Sequence, residues 1–204
     1  MYVPSRFAMH NQADIMQFVR RYGFATLISA DFQVTHLPLY LDENEGEFGT
    51  LYGHLARANP QAATLHHSTV LAIFTGPHAY ISPRWYGKAP MVPTWNYAAV
   101  HGTGTVTVLD DTENARAMAL LVAQYEPDLL QDEQLMPAEY QQKLRHAVVG
   151  FKIHMQQWQG KEKLGQHQPA PAQAGVWQQL QQSADPHSQL LAAYMAARNI
   201  GTGQ

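Results

Sequence analysis

Apolar positions along the chain fall into blocks with different periods, and each block predicts an element. Ile15, Met16, Phe18 and Val19 form the inward stripe of a helix over 11–22, which Gly23 stops. Residues 24–29 read as a strand and Asp31-Phe32-Gln33 as a tight turn. A second strand over 34–41 puts Leu37, Leu39 and Leu41 on one face and His36 and Tyr40 on the other. An acidic hairpin loop follows over 42–49. The run 70–74 is apolar throughout, as in a strand covered on both faces. Gly76-Pro77 is expected to kink the chain before Ala79, Tyr80 and Ile81 resume it. Pro83 and Pro93 bound a long loop that carries Trp85 and Tyr86. Over 97–109, Val100, Val106 and Val108 alternate with Thr103, Thr105 and Thr107.

Asp110 and Glu113 are spaced as a capping box for a helix over 110–125, with Met118, Leu121, Val122 and Tyr125 inward. A further helix is expected over 137–146, and Val149, Phe151, Ile153 and Met155 alternate in a last long strand. Antiparallel strands with helices at their ends, and no strand–helix repeat, predict a barrel-like α+β fold. Beyond Trp158 the chain turns rich in glutamine, proline and alanine, which predicts an extended arm over 160–175. Asp185-Pro186 then opens a C-terminal helix with Leu190, Leu191, Tyr194 and Met195 as its stripe. The expected organisation is a barrel domain over 1–158, with the arm and helix of 159–204 packed on that same domain.

Composition changes this picture in three ways. Charged residues are 14% of the 204, against roughly 25% in a typical domain. So uncharged a surface points to cover by a second copy of the chain, a homodimer. With 13 Lys and Arg against 16 Asp and Glu, and no helix-turn-helix pattern, direct binding to DNA is not expected. The absence of cysteine excludes disulfides, thiolate nucleophiles and cysteine-ligated zinc or iron–sulfur centres. There is no signal-peptide pattern and no apolar run near the roughly 18 residues of a membrane span, so a cytoplasmic location and no membrane partner are expected.

The main candidate chemistry lies in Gly53-His54-Leu55-Ala56-Arg57-Ala58-Asn59-Pro60, where a strand ending at 50–52 gives way to a short helix over 60–65. Such a junction offers unpaired helix N–H groups, a positive dipole end and a guanidinium fork, which together suit a phosphate monoester. An ordinary turn with a surface arginine is the alternative. Its glycine spacing matches neither a dinucleotide fingerprint nor a P-loop. Among the 11 histidines there is no His-Glu-x-x-His and no i,i+4 pair, so no metal site is expected. His36 and His54 read either as hydrogen-bonding groups near a bound anion or as half-buried strand residues. Trp85 and Trp95 suit a platform beside a flat heterocycle, and Tyr97 a core aromatic. No serine–histidine–acid or paired-carboxylate arrangement stands out, so no catalytic residue is assigned.

Four segments together resemble one family. They are Met1-Tyr2-Val3-Pro4 with Phe7; Thr35-His36-Leu37-Pro38 followed by Gly53 to Pro60; Gly76-Pro77-His78-Ala79-Tyr80-Ile81-Ser82-Pro83 with Trp85-Tyr86; and Val92-Pro93-Thr94-Trp95-Asn96-Tyr97 with Val100-His101. With Val149-Gly150-Phe151 and Gly160-Lys161-Glu162-Lys163-Leu164, the match runs over nearly the whole chain. It resembles the PaiB-type FMN-binding proteins, a family of negative transcriptional regulators with a pyridoxamine-oxidase-like split barrel.

The resemblance implies an antiparallel split barrel with peripheral helices, homodimeric, with FMN at the subunit interface. Arg57 would then bind phosphate, assisted by Gly53, His54 and Asn59, while Thr35, His36 and Leu37 would line the isoalloxazine ring. Either Ser82, Arg84 and Trp85, or Thr94, Trp95 and Asn96, would cover the ring or be reached from the partner subunit. Lys161 and Lys163 would be solvated, or would lie near the flavin pyrimidine, where positive charge stabilises a reduced ring. The family pattern runs Gly-Lys-x-Lys-Leu-Ser-Gln-Asn, whereas Gly165 and His167 here replace its serine and asparagine. Polar contacts made by that arm would therefore differ.

The function implied is a regulator that senses flavin, redox state or a small-molecule ligand. A flavin-dependent oxidoreductase acting on a small planar substrate is the alternative, and a flavin- or haem-handling carrier a third. An open pocket lined by Trp85, Trp95 and Arg84 would favour a sensor or enzyme. A ring sealed by the 160–168 arm would favour a carrier.

Overall fold

The computed structural model describes residues 1–204. The strands are β1 (Phe24–Ser29), β2 (Val34–Pro38), β3 (Tyr40–Asp42), β4 (Thr50–Ala56), β5 (Thr69–Ile81), β6 (Thr94–Val108) and β7 (Val148–Lys163). The helices are α1 (Gln12–Arg21), α2 (Pro60–Thr64), α3 (Asp111–Tyr125), α4 (Ala138–Arg145), α5 (Ala170–Gln182) and α6 (Pro186–Arg198). The strands form one sheet in the order β2-β1-β5-β6-β7-β4-β3. β1 pairs antiparallel with β2, Thr26 opposite His36, and β4 with β7, Gly53 opposite Phe151 and His54 opposite Gly150. No helix is long and apolar enough to cross a membrane.

The chain divides into two compact units, and β5, β6 and β7 each contribute residues to both. Unit I comprises residues 1–15, 75–100 and 159–204. Its core packs Phe7, Ile81, Leu164, Val176, Leu180, Leu191 and Met195, all buried. The α5–α6 pair is tied by the Trp177 indole N–H donating to the Ala192 carbonyl at 3.0 Å. Unit II comprises residues 16–74 and 101–158, with Leu27, Leu39, Leu51, Leu55, Phe74, Phe151 and Ile153 at its centre.

Several expectations hold in detail. Ile15, Met16, Phe18 and Val19 are all buried. The capping box closes as spaced, Glu113 N–H donating to Asp110 Oδ1 at 2.8 Å and Asp110 N–H to Glu113 Oε2 at 3.3 Å. Others need correction. The second strand is two, because β2 pairs with β1 and β3 with β4, and Leu39 lies where the chain changes partner. Gly76-Pro77 does not break β5, whose Leu71 and Ile73 are half-buried rather than covered. On α3 the buried stripe is Asn114, Ala117 and Leu121, while Tyr125 is 62% exposed. Met118 and Val122 instead line a cavity of about 300 Å³ with Leu130, Met136, Tyr140 and Leu144. The extended arm is not one: β7 runs on to Lys163, and residues 170–182 are helix, their alanine and glutamine content favouring it.

Candidate functional site

In unit II the phosphate-suited stretch is built differently from the sequence expectation. β4 continues through Ala56, so Gly53, His54 and Leu55 are strand residues. Gly53 is required for close packing rather than for backbone freedom. A Cβ there would stand 2.6 Å from Leu39 Cδ2 and 3.1 Å from Phe151 Cζ. α2 has 5 residues, with Asn59 as N-cap accepting from Gln61 N–H at 3.0 Å. One turn of helix builds little dipole, so the capacity to hold an anion here rests on Arg57.

The Arg57 side chain is exposed but fixed. Its Nε donates to the His146 carbonyl at 2.8 Å and its Nη2 to the Val148 carbonyl at 2.9 Å, while its backbone N–H donates to Ala147 at 2.8 Å. A guanidinium has five N–H donors. Two orient the plane here, and the other three, the Nη1 pair among them, remain for a ligand.

A polar chain ties this corner to β2. Asn59 Nδ2 donates to Thr35 Oγ1 at 2.9 Å, and Thr35 Oγ1 donates to Gln61 Oε1 at 2.6 Å. The fully buried Gln61 passes its own N–H groups to Ser29 Oγ at 3.2 Å and the Gln33 carbonyl at 3.1 Å. Thr35 and Asn59 are thus brought together, with Arg57 two residues away. The sequence reading missed Gln61, whose only signal is one amide in an alanine-rich turn. His36 is exposed, its Nδ1 2.9 Å from Thr26 Oγ1. The Leu37 side chain is buried in the core, leaving only its backbone for a ligand. β2 ends the sheet, so backbone groups on its outer side have no strand partner. His54 is half-buried, and its buried Nδ1 has no hydrogen-bond partner. Burial pushes its imidazole below the ordinary histidine range, towards the neutral form.

In unit I, Ser82 caps the short 3-10 helix over Pro83–Tyr86, accepting from Arg84 N–H at 3.2 Å. Trp85 and Trp95 line one cavity of about 300 Å³, shared with His78, Tyr80, His187 and the α6 N-cap Asp185. The rings of His187 and His78 stack at 5.6 Å and 27°, His78 and Trp95 lie 6.1 Å apart, and Tyr80 stands edge-on to Trp95 at 6.3 Å. Arg84 is not part of that lining. His78 and Tyr80 lie in one of the segments that carry the family resemblance, whereas His187 lies 92 or more positions from Trp85 and Trp95, with no local signal to link them.

Lys163 Nζ donates to Thr94 Oγ1 at 2.5 Å and to the Trp95 carbonyl at 2.9 Å. Lys161 is buried, donating to the Tyr2 carbonyl at 3.1 Å and lying 5.2 Å from the Tyr97 ring centroid. Neither lysine is simply solvated. Asn96 is buried and its Nδ2 has no partner.

Residues 1–157 match the family described as "Putative FMN-binding domain". The chain belongs to that family. All the candidate residues but Lys161 and Lys163 fall within the family's match. Over 203 residues the chain is 34% identical to the Bacillus subtilis protein called protease synthase and sporulation protein PAI 2, covering 96% of both chains. The flavocytochrome Anf3 of Azotobacter vinelandii superposes with a TM-score of 0.64 at 15% identity, covering 80% of this chain and 73% of that one. An FAD- and haem-binding protein of Mycobacterium smegmatis gives 0.59 at 14% identity, over 78% and 74%. These likenesses show the fold of this member of the FMN-binding-domain family: an antiparallel split barrel with peripheral helices.

Proposed function

We propose that the chain binds one FMN per subunit in a homodimer and acts as a negative transcriptional regulator that responds to flavin, redox state or a small ligand. One observation carries the reading: the Arg57 guanidinium is oriented by two backbone carbonyls and keeps free donors. A fork held in this way is preorganised for a phosphate dianion. The unpartnered Nδ1 of neutral His54 and the free outer side of β2 fit the polar edge of a flavin. FMN supplies one- and two-electron redox chemistry when bound. The protein's part is to hold and cover it. The regulatory role is carried over from the Bacillus relative, whose name refers to protease synthesis and sporulation. The dimer is supported by Phe24 at 67%, Phe32 at 86% and Val34 at 53% exposure on the β1–β2 hairpin.

A second reading, a flavin-dependent oxidoreductase, draws on the aromatic cavity of Trp85, Trp95, Tyr80, His78 and His187. Its size suits a small planar molecule. The visible spectrum of the purified protein, after reconstitution with excess FMN, tests the first reading. A flavin band at one equivalent per chain is expected, and its absence would remove the proposal. Bleaching of that band by NADH or NADPH, with turnover of an added acceptor, would favour the enzyme.

A further inference from the structure

Unit I is cationic within a chain that is anionic overall. It holds Arg6, Arg84, Lys88, Lys161, Lys163 and Arg198 against Asp14, Glu162 and Asp185. All three carboxylates are committed. Glu162 and Asp14 each bond Arg198 at 2.8 Å, and Asp185 caps α6 by accepting from the His187 and Ser188 N–H groups. The other five cations have no carboxylate within ion-pair distance.

Three of the five surround the turn over 165–169 between β7 and α5. Lys88 Nζ donates to Gln168 Oε1 at 3.0 Å, and Gln168 Nε2 lies 3.0 Å from His167 Nε2. The Phe7 ring meets His167 edge-on at 5.4 Å and carries the Arg6 guanidinium 5.2 Å from its centroid. Lys163 reaches the Trp95 carbonyl beside Asn96. Asn96 is 1% exposed, and its Nδ2 is a donor with no acceptor. A Cβ built on Gly165 would lie 3.5 Å from that nitrogen, which places the unused donor under the turn. A buried amide N–H without an acceptor is costly unless a ligand supplies one. α5 also starts with no side-chain cap and no acidic residue in its first turn.

We propose that this turn is a binding site for a phosphoryl group, held by Arg6, Lys88, Lys163 and His167 with Asn96 Nδ2 as a neutral donor. It shares no residue with the Arg57 corner, and the inference does not rest on the flavin reading. The electrostatics agree. Burial and neighbouring Lys161 push the Lys163 ammonium down, and burial with Arg6, Lys163 and Lys88 does the same to His167. A dianion would relieve both. Glycine at 165 adopts the positive φ of 85° that carries the turn across the amide, and an imidazole at 167 adds a donor that strengthens on protonation.

The test is titration of the full FMN-treated chain with pyrophosphate and with AMP at constant ionic strength, followed by calorimetry and by the His167 ring resonance. The resonance is assigned with His167→Asn. Saturable binding of one anion per chain, with Kd below about 1 mM and an upward shift of the His167 pKa, is the expected result. AMP binding as well as pyrophosphate would mark the source as a nucleotide, and pyrophosphate alone a free phosphoryl ion. Lys88→Ala combined with Arg6→Ala is expected to weaken binding by about tenfold or more, with flavin content and melting temperature unchanged. Three results would each overturn the site: an equal response to chloride, unaltered affinity in the double variant, or mole-for-mole displacement of the anion by FMN. A chain that takes up no flavin is titrated without it, so failure of the flavin reading leaves this test intact.

Discussion

Arg198 holds Glu162 at 2.8 Å, Nε to Oε1, although the Glu162 side chain is only 4% exposed. Its Nη2 also reaches Asp14 at 2.8 Å, and the Tyr194 hydroxyl donates to Glu162 at 2.5 Å. A residue from the chain's start, one from the end of β7 and one from α6 thereby share a buried charge cluster. Removing one partner strands a buried charge. Arg198→Met is expected to lower stability by about 3–5 kcal/mol. Adding Glu162→Gln should restore most of the loss, measured by urea unfolding. The hydrogen bond to Arg198 holds the Asp14 carboxyl below its usual range. A depressed carboxylate stabilises the fold above its unfolded pKa of about 4, and this contribution fades as pH falls through the lower folded value. The acid limb of the stability curve should therefore be flatter in Arg198→Met than in the parent.

Arg57→Ala removes the charge that meets phosphate. FMN affinity is expected to fall by roughly 1.5–3 kcal/mol while riboflavin affinity hardly changes. Arg57→Lys keeps the charge but loses the fork that bonds two carbonyls, so it should recover only part of the difference. Fluorescence quenching titrations with both ligands measure this. Equal weakening of both would show that Arg57 does not touch the phosphate. A melting curve separates loss of the tie to His146 and Val148 from loss of ligand contact.

Sedimentation should find a homodimer. Phe24→Asp and Val34→Asp place charge on the exposed face of the β1–β2 hairpin and are expected to shift the protein towards monomer. A parent chain that stays monomeric while binding FMN tightly would refute the dimeric arrangement.

Binding to random duplex DNA at about 150 mM salt is expected to be weak, near the ~10⁻⁴ M end of non-specific affinities. The chain's basic residues number 13 against 16 acidic ones, and unit II holds the greater share of the acids. Repression would then act through a partner or ligand. A mobility-shift titration giving a sub-micromolar, sequence-selective complex would contradict this.

Much of the fold was legible because its signals are local. The helix over Gln12–Arg21 follows from a stripe of four apolar residues, and the start of α3 from an aspartate and a glutamate three positions apart. Breaks were harder to read. At Leu39 the chain changes partner from β1 to β4, and Gly76-Pro77 stays in strand where composition predicts a kink. The inward face of α3 was misread because Gly150 makes room for Asn114, whose Oδ1 would lie 2.1 Å from a Cβ there. Apolar periodicity cannot see a polar residue packed on a glycine.

The residue types at the candidate site, and the family they match, were determined by sequence alone: Arg57 beside Asn59, the Trp85 and Trp95 segments, the lysines of the 160–164 stretch. What each side chain does was decided by tertiary structure. Asn59, Thr35 and Gln61 form one network only because β2 lies beside the β4–α2 corner. Trp95 shares a cavity with His187, and Lys88 meets Gln168, across 80 or more positions of chain. Propensity and periodicity act over one or two turns of backbone. Hydrogen bonds, charge clusters and cavities depend on distance in space, and only the folded chain sets that.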